Sequence, residues 1–541
     1  MNTIKRFVMA ANEMRGTKKT LFLVACSLLF ALPFMTKNFV SVPYVNGFCA
    51  IFGWCGLSGL FITLFDFNKT SKRVLCSLFC FFFAFYFCVY SWFVNLYPLD
   101  FAGLGSVESI GVIIIAETAI PFIHACLMTC FVFASYFAAK RVNNCFVRAA
   151  LVGFGYVLGE FSQSLGTFAF PWVRLFVGQT SFPVLLQSAS LFGSYFITFL
   201  MVLVNALLAM SLVGLNVDKK KAFTCLLSAV LIFSANLVFG VVRVNVGANS
   251  EKTLSAIVLQ GNIPSGEKWS GDVDEKAKYL ALAQLSSDTN ADIAVMPETA
   301  LPVTVYSDDG FTSDAERTLA EISQTLDAEL FAGAFGYDDG KIYNSLFLFD
   351  KDGAVSKPYN KRNIVPFGEF LPYRSIIEKI VPSLGEINML SSDISRGESV
   401  VPIETKKGKA ACLICFDSIF PETARRQIKN GGEFIVIATN DSWYKTSDAI
   451  FQHADHAIMR GIENNVPVIR CANTGVSRIT DRLGYMVTES EVNETTVISA
   501  TVELNGNMTL YTRIGDIFVL VCFVSIVFVL IFVKNKKASS E

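Results

Sequence analysis

Long apolar runs fill the first 245 residues, separated by short polar loops. They lie near 20–35, 44–65, 74–96, 108–138, 148–166, 184–213 and 221–242, and another lies near 515–533. Runs this long and this poor in charge are read as helices that cross a bilayer. The pattern predicts eight spans, seven in residues 1–245 and an eighth in 513–541, which ends in a basic tail. The first run follows Lys5, Arg6, Arg15, Lys18 and Lys19, as a signal peptide would. No small-x-small cleavage pattern closes it and more spans follow, so a retained helix is expected.

Between residues 246 and 512 the period shortens. Strands are expected at 254–260, 292–296, 329–336, 343–349, 354–359, 410–415, 434–439, 466–471, 476–481 and 497–503. Helices are expected at 273–287, 313–326, 421–429 and 448–464. Alternation of this kind predicts a layered α/β domain with helices covering sheets. Most acidic residues fall in this part, which is long enough to bury its own core.

Loop charge predicts orientation. One set of loops carries Lys69, Lys72 and Arg73, then Lys140, Arg141 and Arg148, then Lys219, Lys220 and Lys221; the tail carries Lys534, Lys536 and Lys537. The alternate loops carry Lys37, then Asp100 and Glu108, then Arg174. Both termini are therefore expected in the cytoplasm and the α/β domain on the opposite face, the periplasmic side in a bacterium.

Composition narrows the chemistry. A net charge of −1 gives no footprint for nucleic acid. Ten of the fourteen cysteines precede residue 250, and the α/β part holds only Cys412, Cys415 and Cys471, too few for a disulfide scaffold. With three histidines in the chain, a metal enzyme is not expected. His453 and His456 are three apart on a predicted helix, but no third ligand is evident, so packing is expected of both. Glu117, His124, Glu160 and Arg174 lie in or near apolar runs. A carboxylate at mid-membrane costs roughly 2.5–3.5 kcal/mol, so these groups must face protein or a wet cavity. A proton path is one reading, and interhelical hydrogen bonding is the preferred one. Nothing in the pattern argues for the broken, repeated halves of a transporter.

Three stretches of the α/β part carry chemistry. Met296-Pro297-Glu298-Thr299-Ala300 puts an acid just past a buried strand. Pro358-Tyr359-Asn360-Lys361-Arg362 leads into Val365-Pro366-Phe367-Gly368-Glu369-Phe370. An apolar strand then ends in Cys415-Phe416-Asp417-Ser418-Ile419-Phe420-Pro421-Glu422, where a sharp turn opens a helix. Singly, these are a solvated acid, a surface lysine and a small buried thiol. Together, at strand ends, they are a base, a cation for an oxyanion and a nucleophile, the set that acyl transfer through a thioester requires. Lys361 is expected to favour the thiolate and pull Cys415 below its ordinary value of about 8.5. Cys412 and Cys415 also have the spacing of a redox pair. On a strand, however, their side chains point to opposite faces, which opposes a disulfide.

These stretches resemble the Glu-Lys-Cys triad of the nitrilase, or carbon–nitrogen hydrolase, superfamily. Further motifs narrow the resemblance: Gln260-Gly261-Asn262-Ile263-Pro264 with Lys268-Trp269, Asn440-Asp441-Ser442-Trp443-Tyr444, and Asn473-Thr474-Gly475. With the predicted spans, they make the whole chain similar to the membrane-embedded apolipoprotein N-acyltransferase family. The resemblance implies an αββα sandwich and a ping-pong reaction without a cofactor. Cys415 would take an sn-1 acyl chain from a phospholipid, chiefly phosphatidylethanolamine. It would pass the chain to the α-amine of a lipoprotein's diacylglyceryl-cysteine.

Residue by residue, the resemblance makes Glu298 the general base and Lys361 the oxyanion stabiliser. Glu369 and Asp417 would be supporting acids, and Trp269, Phe367 and Phe416 would lie where substrate enters. Two positions depart from the pattern. Asp417 stands where relatives usually carry Glu, and Phe416 where they usually carry Tyr, which removes one hydroxyl. A monomer is expected. The rival readings are a membrane-tethered amidase, with water as the acyl acceptor, and an inactive polytopic scaffold. Phe370, Leu371, Tyr373, Ile376, Ile377, Ile380, Val381 and Leu384 are apolar near helical spacing and are expected to form a lid at the bilayer surface.

Overall fold

The computed structural model describes residues 2–37, 43–65, 70–99, 104–246, 250–268, 273–301, 304–306, 314–350, 352–353, 357–380, 393–504 and 507–533. Trp269 lies outside the described residues, as do Lys69, Asp100, Val381, Leu384, Lys534, Lys536 and Lys537.

Among the described residues, six helices are long and apolar enough to cross a membrane: Gly16–Met35, Ser71–Leu96, Ser106–Lys140, Cys145–Ser162, Ser194–Gly214 and Lys219–Asn245. Two of the eight expected spans are shorter. The 44–65 run divides into helices Pro43–Cys55 and Ser58–Ile62, and the final run forms the 16-residue helix Ile517–Phe532. The 184–213 run is also broken, by Gly193 at a φ of 77°. That left-handed value suits glycine, and an added Cβ would lie 2.5 Å from the Tyr511 ring. Only Ser194–Gly214 continues as a long helix. A helix over Asn2–Glu13, absent from the sequence reading, buries Val8 and Ala11.

Helix Ser106–Lys140 turns Val107, Ile110, Ile114 and Ile115 outward, and Lys219–Asn245 turns Phe223, Val230 and Leu231 outward. Apolar surface on this scale marks a membrane protein. Of Glu117, His124, Glu160 and Arg174, the last three bond between segments, as preferred, whereas the buried Glu117 Oε2 has no hydrogen-bond partner among the described residues. Glu160 accepts from the Leu175 amide at 2.9 Å and the Thr198 hydroxyl at 2.6 Å. Arg174 donates to the Ser164 and Tyr195 hydroxyls at 2.9 and 2.8 Å, and His124 Nδ1 lies 3.0 Å from the Tyr90 hydroxyl.

The α/β part has thirteen described strands. They are β1 Thr253–Gln260, β2 Ile293–Val295, β3 Thr304–Tyr306, β4 Glu329–Asp338, β5 Lys341–Phe349, β6 Tyr359–Asn360, β7 Ile403–Glu404, β8 Lys409–Ile414, β9 Phe434–Thr439, β10 Val468–Ala472, β11 Arg478–Thr480, β12 Met486–Glu489 and β13 Thr496–Glu503. One sheet runs β13-β1-β2-β4-β5-β6 with β3 beside β4, and the other runs β12-β11-β10-β9-β8-β7. Strands β3, β7 and β12 escaped the sequence reading because two to four residues carry no usable period. The expected strand at 354–359 is represented by Tyr359–Asn360, with 354–356 outside the described residues.

Alternation along the strands builds the layers. Ala256, Val258, Cys412, Ile414, Val436 and Ile469 meet between the sheets in one core. Ile257 and Ala294, from the opposite strand faces, pack under helices Glu275–Leu285 and Asp314–Leu326. Leu413, Ile435 and Ile437 pack under Pro421–Lys429 and Asp448–Asn464. The result is the expected αββα sandwich. Within it β1, β2 and β4 are parallel, as are β8, β9 and β10, so each set sends its C-terminal ends one way.

Helix Asp448–Asn464, here the linking helix, is buried along its whole length. One side covers the second sheet, and the other meets the membrane helices. Gln452 accepts from the Trp172 indole at 2.9 Å and donates to the Phe34 carbonyl at 3.0 Å. Asp455 accepts from Lys37 at 2.7 Å and from Arg478 at 2.8 Å. Removing the acid from such a buried cluster takes the carboxylate from Lys37 and leaves Arg478 with Glu489 alone. Asp455→Ala is therefore expected to destabilise the protein by about 3–5 kcal/mol, read as a lower unfolding midpoint in detergent. An unchanged midpoint would show that the cluster does not join the two parts.

Candidate active site

Glu298 lies three residues beyond β2, in a turn tucked against β4. Gly333 permits that approach: a Cβ there would lie 2.6 Å from the Pro297 carbonyl and 2.8 Å from the Glu298 Cα. No side chain fits between them. The turn is further held by Lys268, whose buried ammonium donates to the Glu298 carbonyl at 3.2 Å and the Thr299 hydroxyl at 2.7 Å. Burial brings the Lys268 ammonium down to about 8, against the pull of Glu298 and Glu275.

Lys361 follows β6 and is only 1% exposed. Its amide donates to the Asn344 carbonyl on β5 at 2.8 Å. Its ammonium donates to Glu298 Oε1 at 3.0 Å and to Glu369 Oε1 at 2.9 Å. The Asn344 amide reaches the same two oxygens at 2.7 and 2.9 Å. Backbone amides finish the set, Asn440 on Glu298 Oε2 at 2.9 Å and Val365 on Glu369 Oε2 at 2.8 Å. Burial alone would lower the Lys361 ammonium, but the two carboxylates hold it well above its ordinary range. Burial likewise pushes the Glu298 carboxyl up; the Lys361 charge and the Lys361 and Asn344 hydrogen bonds outweigh it and leave the acid below its ordinary value.

Cys415 follows directly on β8 with a φ of 48°. A short 3₁₀ turn, Cys415–Ile419, intervenes before helix Pro421–Lys429. Its carbonyl receives the Ser418 hydroxyl at 2.7 Å and faces His453 Nε2 at 3.1 Å. The charge on Cys415 departs from expectation. Burial pushes its thiol up, Glu298 and Asp441 add to the rise, and Lys361 opposes without reversing it. Lysine does not make a resting thiolate here, because its charge is already spent on two carboxylates. The site at rest holds a thiol beside an ionised acid. The proton must then leave during attack, which is the task of a general base.

The remaining expected residues divide. Glu369 shares Lys361 with Glu298. Asp417 stands behind the turn: it accepts from the Asn363 amide at 2.7 Å, the Asn363 side chain at 2.9 Å, the Tyr359 hydroxyl at 2.8 Å and the Ile414 amide at 3.3 Å. It therefore ties the cysteine turn to the residues flanking Lys361. Phe416 is buried against Phe170 and Phe420, with ring centroids 5.9 and 5.3 Å away. Phe367 is 51% exposed and stacks on Phe168 at 6.1 Å, and Tyr373 lies 5.8 Å from the same ring. Phe168 belongs to the membrane part, so both halves of the chain supply this apolar patch.

Several contributors escaped the sequence reading. Asn344 carries no signal on its strand. Asp441 was visible only inside a motif, and His453 only as a doubtful metal ligand. Both histidines are fully buried, with His456 Nε2 2.9 Å from the Trp172 carbonyl. Among the described residues no group of three or more His, Cys, Asp or Glu side chains is placed to hold a metal ion. Cys412 and Cys415 are free thiols.

Residues 256–507 match the carbon-nitrogen hydrolase family, and residues 28–207 match the apolipoprotein N-acyltransferase N-terminal domain. Fold and site thus define a carbon–nitrogen hydrolase domain joined to a membrane domain. An apolipoprotein N-acyltransferase from Geobacter metallireducens is 29% identical over 371 residues, covering 67% of this chain and 70% of that protein. One from Bradyrhizobium diazoefficiens is 30% identical over 381 residues, covering 66% and 68%. One from Rhizobium leguminosarum bv. trifolii is 29% identical over 412 residues, covering 72% and 74%. The chain belongs to the apolipoprotein N-acyltransferase family.

A raised thiol has a kinetic signature. Without lipid, alkylation of Cys415 by a small chloroacetamide should keep rising with pH beyond about 9, with no plateau near neutrality. Mass spectrometry of the labelled peptide measures it. A plateau by about pH 8 would mean that Lys361 governs the thiol after all.

Proposed function

We propose that this chain moves an acyl chain from a phospholipid to the N-terminal diacylglyceryl-cysteine of an apolipoprotein, through a thioester on Cys415. The observation that carries the proposal is the buried set of Glu298, Lys361 and Glu369 beside the Cys415 thiol. That set lies next to rings contributed by the membrane part. Glu298 takes the thiol proton as sulfur attacks the ester carbonyl, and Lys361 faces the oxyanion that forms. The ester C–O bond breaks, the acyl carbon stays on sulfur, and the departing glycerol oxygen takes the proton from Glu298. In the second half the α-amine attacks the thioester, loses a proton to Glu298 and forms the amide. Sulfur leaves and regains its proton.

Glu369 keeps Lys361 charged and oriented between two acids. Phe367 and Phe416, with Trp269, would receive apolar chains at the entrance. A phosphatidylethanolamine-like donor and a monomeric enzyme fit this arrangement. Domain limits of 1–245, 246–512 and 513–541 follow the apolar runs. Loop charge supports a multi-pass bacterial inner-membrane protein with eight spans, cytoplasmic termini and a periplasmic catalytic domain.

Purified full-length protein mixed with acyl-labelled phospholipid should form an alkali-labile adduct on Cys415. Cys415→Ala should abolish it. Lys361→Met should slow it about 10²–10³-fold, the loss typical of one oxyanion donor. An amidase would form no lipid adduct yet hydrolyse small amides, and a scaffold would do neither. Adduct formation by Cys415→Ala, or none by the native protein, would refute the assignment.

A further inference from the structure

Behind the nucleophile lies a second buried polar system that acyl transfer itself does not use. His453 is wholly buried on the linking helix. Its Nδ1 lies 2.8 Å from Asp441 Oδ1, and Asp441 also accepts from Arg470 at 2.7 Å and from the Thr439 hydroxyl at 3.1 Å. Its Nε2 lies 3.1 Å from the Cys415 carbonyl and 3.2 Å from the Ser418 hydroxyl. The Ser418 proton is directed to that same carbonyl. Asp441 is the nearer partner of Nδ1, whose other neighbour, an Arg470 nitrogen, lies at 3.4 Å; with the Ser418 proton on the Cys415 carbonyl, Nε2 is placed to donate to that carbonyl.

The carbonyl that His453 holds belongs to a residue in an unfavourable backbone state. A non-glycine residue at a φ of 48° persists only where its surroundings fix it. The ring is clamped from the membrane side as well. The Trp172 indole stacks on it, with centroids 5.1 Å apart and planes at 26°. The same indole donates to the neighbouring Gln452.

We propose that His453 is a positioning residue, whose Nε2–H holds the Cys415 carbonyl and so aims the sulfur. Through Trp172 and the linking helix, it makes the membrane part a structural support of the nucleophile. The proposal rests on Cys415 as the acyl-carrying nucleophile.

Two amide variants separate the two ends of the ring. A Gln amide nitrogen reaches the place of Nε2, and an Asn amide nitrogen reaches the place of Nδ1. Single-turnover acylation of full-length protein by labelled phospholipid, with KM and an unfolding midpoint for each variant, reads the difference. H453N should acylate about 100-fold more slowly, the scale expected for a slightly misplaced reactant, with KM little changed. H453Q should recover most of that loss. Two outcomes would overturn the proposal: H453N acylating at the native rate, or a folded H453Q as slow as H453N. Should H453N not fold, H453Q decides alone, near-native acylation supporting the proposal and a deep loss removing it. A native protein that forms no adduct would remove the nucleophile itself. A native adduct matched by H453N would remove only the role of His453.

Discussion

One ammonium, withdrawn from water between two carboxylates, is the constraint around which the catalytic part is built. Taking a charge out of water costs several kcal/mol per ion, and only close, fully hydrogen-bonded partners offset it. Lys361 has such partners in Glu298 and Glu369, and Asn344 bonds both acids again. Those residues lie just past β2, on β5, just past β6 and in the turn before Phe370. The ion set forms only when the first sheet is in register and the 361–370 segment is closed over it. The second sheet enters through the Asn440 amide on Glu298 and through Asp417, which binds the cysteine turn to Asn363. A local slip would strand a buried charge.

The same burial decides how the thiol behaves. A cation near a cysteine ordinarily lowers its pKa, but Lys361 answers first to two full negative charges. The low-dielectric setting that strengthens those ion pairs also disfavours a third anion. A neutral resting thiol would need a base before it could attack. The nearby ionised Glu298 is the group placed to take that proton.

The two parts of the chain are not merely tethered. The linking helix covers the second sheet and binds the membrane helices through Gln452 and Asp455. Phe416 and Ile419 of the cysteine turn share a core with Phe85, Phe176 and other membrane residues. The aromatic patch of Phe168, Phe367 and Tyr373 is likewise built from both. This arrangement sets the buried polar site directly against the membrane part of the chain.

Much of this was legible in the chain. Apolar runs, period-two strands and the punctuation around Glu298, Lys361 and Cys415 are local properties, and they yielded the layered α/β architecture and most element boundaries, while the αββα sandwich was what the family resemblance implied. Other features depend on approach through space. Gly193 divides an apolar run because the Tyr511 ring, over 300 residues away, occupies its Cβ position. Asn344 joins the site because β5 pairs beside β4 and β6, and His453 because the linking helix passes behind β8. The sequence by itself determined which residue types stand at the strand ends and which segments are apolar enough to enter a membrane. Only the tertiary structure decided the protonation of the thiol and the support behind it. Burial and the distance between charges are set by packing, and periodicity along the chain contains neither.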